Sequence, residues 1–171
     1  MATDGKIHLG TIGMGIPRIY SDVVAKIVSG HLAIESALLK RIQARSLVPK
    51  RDGFVSRLNA VVDDMGQVDE DWSIAACHKL NKVRNKCAHL DDLEYQSLEN
   101  RLLAPVADFV TFVKQHNRRL EAHKICDFDW ACIMTYQRLY DLLALDYDPL
   151  ILEKYVALPK PMAEFFLPRN E

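Results

Sequence analysis

The sequence predicts an all-α protein, a helical bundle of about five helices with irregular N- and C-terminal tails. Three observations carry that expectation. Apolar residues recur at three- and four-residue steps in one segment after another, the spacing of a single helix face. The last of the 7 glycines is Gly66, so residues 67–171 contain none, which removes the turn chemistry that β-hairpins need. The links between the periodic segments are short, as in helices that pack on their neighbours.

The first helix is expected from Pro17, which suits a first helical turn. Val24, Ile27, Val28, His31, Ile34, Glu35, Leu38 and Ile42 form its stripe. Gly30 inside it costs about 1 kcal/mol against alanine and marks either a bend or a close helix contact. The helix should end before Pro49. A second helix reads from Asp52, a candidate cap, to Met65, with Gly66 as its left-handed terminator. Phe54, Leu58, Val61, Val62 and Met65 are its apolar face. The third starts near Asp69 or Asp71 and runs to Cys87. It has acidic residues at its start and Lys82, Arg84 and Lys86 at its end, as the helix dipole prefers. Its stripe is Trp72, Ala76, Leu80, Val83 and Cys87. The fourth follows Asp91–Asp92, and Pro105 should either kink it or start a new segment. The fifth begins near Asp129, with Trp130, Ile133, Met134, Tyr136, Tyr140 and Leu143 inward. Residues 1–16 read as a flexible arm, 17–147 as the bundle, and 148–171 as a proline-containing strap.

Composition excludes several function classes. A hydrophobic content of 49% with 26% charged residues is too apolar for disorder. The net charge of −1 gives no general pull toward nucleic acid or membrane, so any polyanion site must be a local patch. No apolar run approaches the ~18 residues of a membrane span, and MATDGKIHLG lacks the apolar core of a secretory signal. Cys77, Cys87, Cys126 and Cys132 form no C-x-x-C pair, which suits reduced thiols in a cytoplasmic protein. Neither Cys77–His78 nor Cys87–His89 has the spacing of a structural zinc site. No E-x-x-H occurs, which disfavours a di-metal carboxylate bundle. No metal and no cofactor is expected. Gly10, Gly13 and Gly15 lie in the order G-x-x-G-x-G, which is not a dinucleotide or P-loop fingerprint.

The chemistry concentrates in one window. Residues 72–90 hold Lys79, Lys82, Arg84 and Lys86 and no acidic residue, with acidic clusters on both sides. Arg84 and His89 lie five positions apart, and Asn85 sits beside the arginine. On a continuous helix five positions are about 500° of rotation and about 7.5 Å of rise, so the two side chains would point about 140° apart. They converge only where the helix breaks near Cys87 or Ala88. Arginine offers a permanent charge and a fork of donors for a phosphate. Histidine titrates near neutrality and moves protons. The pair therefore suits metal-free RNA cleavage, in which a 2′-hydroxyl attacks its own phosphate. The plainer reading makes Arg84 a partner of the helix dipole and His89 a corner residue bonded to backbone.

The stretch LNKVRNKCAHL, Leu80 to Leu90, resembles the R-x(4–6)-H signature of the HEPN superfamily, often R-N-x-x-A-H. Arg84, Asn85, Ala88 and His89 match it. FVSRLNAVVDDMG resembles the preceding helix in mannitol-repressor-like bacterial members. The resemblance implies a helical bundle that dimerises with its two motifs facing. It also implies a metal-independent endoribonuclease of toxin–antitoxin or defence type that leaves a 2′,3′-cyclic phosphate. His89 would be the acid/base, Arg84 the phosphate ligand and Asn85 an orienting residue. RNA, a second copy of the chain and an antitoxin or regulatory protein are the implied partners. Other members keep the fold without cleaving RNA, so a regulatory or protein-interaction module is the alternative.

HEPN folds often place a polar first-helix residue near the motif, so Glu35, one turn from His31, is a candidate partner of Arg84; the plainer reading makes His31 and Glu35 a partly buried surface pair. Lys82 and Lys86 are candidate RNA contacts, as are Arg41 and Arg45 from the basic run Lys40, Arg41, Arg45, Lys50, Arg51 and Arg57. That run either guides RNA to the cleft or simply covers a solvated face. Phe54 is its one aromatic, so base stacking is not indicated there.

Overall fold

A computed structural model describes residues 18–66, 71–88, 95–117 and 127–145. The expectations for the N-terminal arm, the Asp91–Asp92 cap, Cys126, His89 and the C-terminal strap fall outside these residues. The described chain forms five helices: α1 (Arg18–Arg45), α2 (Phe54–Met65), α3 (Trp72–Cys87), α4 (Tyr95–His116) and α5 (Asp127–Leu142). The described residues contain no strand, so the all-α bundle anticipated from the periodicity is what forms. None of these helices is long and apolar enough to cross a membrane.

Helices α1, α5, α4 and α3 close a ring in which each packs on the next, and α2 lies against α1 and α3. The most enclosed helix is α5, where every residue from Trp130 to Tyr136 is buried. A helix apolar on all sides belongs in the middle of a bundle, and α5 contacts α1, α3 and α4. Gly30 sets the α1–α5 approach. A Cβ placed there would meet the Cys132 Sγ at 2.6 Å, so the glycine marks a close helix contact.

Local chemistry explains the helix ends. The Asp71 carboxylate caps α3 by accepting from the Ser73 backbone N–H at 2.9 Å and the Ser73 hydroxyl at 2.7 Å. Its other oxygen takes the Arg138 Nε at 2.9 Å, which ties α5 to the start of α3. Gly66 ends α2 at φ 78° and donates its N–H to the Val62 carbonyl. Asp52 does not cap α2, contrary to expectation. Gly53 occupies that position at φ 124°, a conformation open to glycine, and no side chain caps the helix. Pro105 lies inside a continuous α4 and starts no new segment.

Most of the stripe expected for α1 is buried, but Val28 is not. Val28, Leu32 and Leu39 are 38%, 40% and 45% exposed. With 100° per residue they fall on one side of α1, centred about 80° from His31. Ala25, Ser36 and Gln43 extend the same side, so this exposed strip carries no charge. The flanking charged side chains reach partners, Lys40 over the Tyr140 ring and Glu35 to Arg57.

Candidate functional site

A cleft of about 1270 Å³ opens between α1, α2 and α3. His31 and Glu35 line it from α1, Phe54 and Arg57 from α2, and Asn81, Arg84 and Asn85 from α3. Helical spacing places them there. His31 and Glu35 are one turn apart. Asn81, Arg84 and Asn85 share one flank of α3 within about 100° of rotation. Cys77, Leu80, Val83 and Cys87 bury the adjoining face and hold that flank toward α1 and α2.

Two pairs build the cleft wall. Glu35 Oε1 accepts from an Arg57 NH group, joining α1 to α2. The expected Glu35–Arg84 bond does not form, because the nearer guanidinium is that of Arg57. The second pair joins α1 to α3: His31 Nε2–H donates to Asn81 Oδ1 at 3.3 Å. The other ring nitrogen, Nδ1, is 3.9 Å from Glu35 Oε2. The Phe54 ring lies on the imidazole at 4.3 Å between centroids. Burial depresses the His31 pKa below its ordinary value. Glu35 and the Asn81 bond pull it back up, and the Arg84 charge adds to the lowering. The balance favours the neutral ring.

Arg84 is exposed in the last turn of α3. Its one side-chain bond among the described residues is to Asn85 Oδ1, at 3.3 Å. No carboxylate among them pairs with it. Helix α3 ends at Cys87, and the Ala88 N–H closes the turn on the Arg84 carbonyl. The break falls where convergence of Arg84 and His89 requires it; His89 itself lies outside the described residues. Across the cleft, the uncapped amino end of α2 contributes the positive end of its dipole.

The other candidates sit elsewhere. Lys82 and Lys86 are exposed but turn about 160° from Arg84 around α3 and do not line the cleft. Arg41 is committed to the fold. Its Nε and NH2 donate to Asp64 Oδ2 at 3.1 and 2.7 Å, and its NH1 donates to the Leu143 carbonyl at 3.1 Å. Arg45 is mostly exposed and approaches the same Asp64 oxygen at 3.6 Å. Much of the basic run is thus answered by acids from other elements, Asp64 and Glu35.

Sequence reasoning passed over Asn81, and it met Arg57 only as one charge in a run. The available signal was Asn81 three residues before Arg84, which puts both on one side of a helix. Cys87, beside the motif, is no nucleophile. Burial pushes its thiol up to about 11 although Arg84 pulls the other way. Cys77 is pushed to about 12, again by burial. Among the described residues no three His, Cys, Asp or Glu side chains group as a metal site.

No protein-family model, curated protein or solved structure matches the chain. The functional reading therefore rests on the site and on the motif.

Proposed function

We propose that this chain is a HEPN-type, metal-independent endoribonuclease that works as a dimer, with Arg84 and His89 as the catalytic pair. The observation that carries the reading is the state of Arg84. It is an exposed guanidinium at a helix end, on the rim of a cleft, with no carboxylate partner among the described residues. A free arginine fork held by a packed helix is suited to a phosphodiester. In the reaction His89 takes the proton from the ribose 2′-hydroxyl, and that oxygen attacks the adjacent phosphorus. The 5′-oxygen leaves with a proton, and the products are a 2′,3′-cyclic phosphate and a 5′-hydroxyl. Arg84 stabilises charge on the non-bridging oxygens, where fixed donors act most strongly. Asn85, bonded to Arg84, orients it. The uncharged strip of Val28, Leu32 and Leu39 offers a second copy an apolar helix face.

The test is cleavage of varied single-stranded RNAs in EDTA, with product ends identified. Wild type is expected to cut and leave cyclic phosphate ends, and Arg84→Ala and His89→Ala are expected to lose at least ~100-fold. Equal cleavage by the variants, or none by wild type, rejects the nuclease. The same exposed strip favours a second reading, a non-catalytic HEPN-like module that binds a regulatory protein. It predicts a stable complex insensitive to His89→Ala but weakened by Leu32→Glu.

A further inference from the structure

We propose that His31 positions the Arg84 site through Asn81, and that a proton on His31 and a phosphate on Arg84 bind cooperatively. The inference deepens the proposed function and rests on its reading of Arg84 as the phosphate ligand. The geometry begins with the only cross-helix side-chain bond described between α1 and this end of α3, His31 Nε2–H to Asn81 Oδ1. Asn81 and Arg84 are one turn apart on α3, with side chains about 5–6 Å apart at their Cβ atoms. The buried face of α3 sets the rotation of that turn, and the Asn81 bond ties it to α1 one turn before Arg84. His31 is itself held by burial and by the Phe54 ring.

The groups facing His31 define what a proton would do. From α1 comes Glu35, 3.9 Å from Nδ1. From α2 come the uncharged Phe54 ring and Arg57, which is paired with Glu35. From α3 come Asn81 and the Arg84 charge. Since Nε2 already carries the hydrogen donated to Asn81, the added proton goes to Nδ1 and faces Glu35. Arg84 lines the same cleft as His31 and stands one turn from its partner Asn81, so its charge opposes that proton by like-charge repulsion. A phosphate on Arg84 neutralises the guanidinium and removes the opposition. By linkage, protonated His31 must then favour the phosphate to the same extent.

The test uses the whole 171-residue chain. The His31 ring proton resonance is followed by NMR from about pH 8 to about pH 5, across the range where a histidine titrates. Three samples are compared: the chain alone, the chain saturated with a deoxythymidylate decamer, and Arg84→Met. The decamer lacks the 2′-hydroxyl, so it is not cleaved by this route, and its bases do not titrate in this range. The His31 pKa is expected to rise in Arg84→Met and on decamer binding. Decamer affinity should tighten about tenfold for each unit of that rise as the pH falls. His31→Gln, whose amide can keep the Asn81 bond but cannot titrate, should bind as wild type near pH 8 and lose this tightening. A His31 pKa unmoved by a decamer whose binding needs Arg84 overturns the cooperation and leaves Arg84 as the phosphate ligand. Unchanged pH dependence in His31→Gln does the same. Decamer binding that survives Arg84→Met intact overturns the phosphate reading and the cooperation together.

Discussion

Replacing Gly30 by alanine sets two effects of opposite sign against each other. In an exposed helix interior the change stabilises by about 1 kcal/mol, because alanine holds helical backbone better than glycine. Here the new methyl would lie 2.6 Å from the Cys132 Sγ, 3.4 Å from the Cys132 Cβ and 3.6 Å from a Phe128 ring carbon. Contact distances are about 3.5–4.0 Å, so the methyl and the sulfur overlap by roughly 1 Å. The Cys132 Cβ and Phe128 distances are ordinary contacts, so the strain falls on the sulfur, which is buried with little room to rotate away. Overpacking of this kind costs about 1–3 kcal/mol. The net expectation is destabilisation by about 1 kcal/mol after the helix gain is subtracted. A double-mutant cycle isolates the contact. Cys132→Ala alone should cost about 1 kcal/mol for the vacated volume. In the double variant the Gly30→Ala methyl fills that volume, so the pair should lie close to wild type, with a coupling of about 1–2 kcal/mol. The assay is urea unfolding followed by far-ultraviolet circular dichroism, with m-values compared across the four proteins. A Gly30→Ala protein that is more stable than wild type, or additive effects in the cycle, would refute the close α1–α5 approach.

Two further outcomes follow from the ion pairs. Asp71→Ala should lose about 1–2 kcal/mol at neutral pH, mostly from the α3 cap, with little from the half-exposed Arg138; Asp71→Asn, which still caps, should lose less. Partial burial would raise the Asp71 pKa, but hydrogen bonds from Arg138 and Ser73 outweigh it and lower the pKa below 3.8. The contribution of its charge is therefore complete above that value and fades as the pH falls through the lower folded one. Unfolding curves of wild type and Asp71→Asn should converge in acid; a gap that widens there contradicts the assignment. Arg41→Met should destabilise by about 2 kcal/mol, since it strands the Leu143 carbonyl and leaves Asp64 only the exposed Arg45 at 3.6 Å, while leaving decamer affinity nearly unchanged. Lost affinity at full stability would return Arg41 to the RNA surface.

The bundle itself was legible. Helical periodicity located all five helices to within a few residues, and Asp71 and Gly66 act where capping chemistry puts them. Asp52 failed as a cap because α2 begins at Phe54, which puts Gly53, at φ 124°, in the cap position. Val28 fits the apolar period of α1 yet is exposed, because periodicity tells which residues share a face but not how wide a face the neighbours cover. The site was legible only in part. Arg84 and Asn85 stand out by motif, whereas Asn81 gains meaning only opposite His31, fifty positions away in the chain.

The sequence alone determined which side chains share a helix face and where α3 stops, since both depend on contacts within a few residues. It thereby placed Arg84 and Asn85 on one flank and ended the helix before His89. Which charges stay free was decided by the tertiary structure. Glu35 goes to Arg57 and Asp64 to Arg41, and Arg84 is left at the cleft without a carboxylate among the described residues. The physical reason is that ion pairing is settled by distance in space. Packing α2 against α1 supplied partners that no local spacing could reveal.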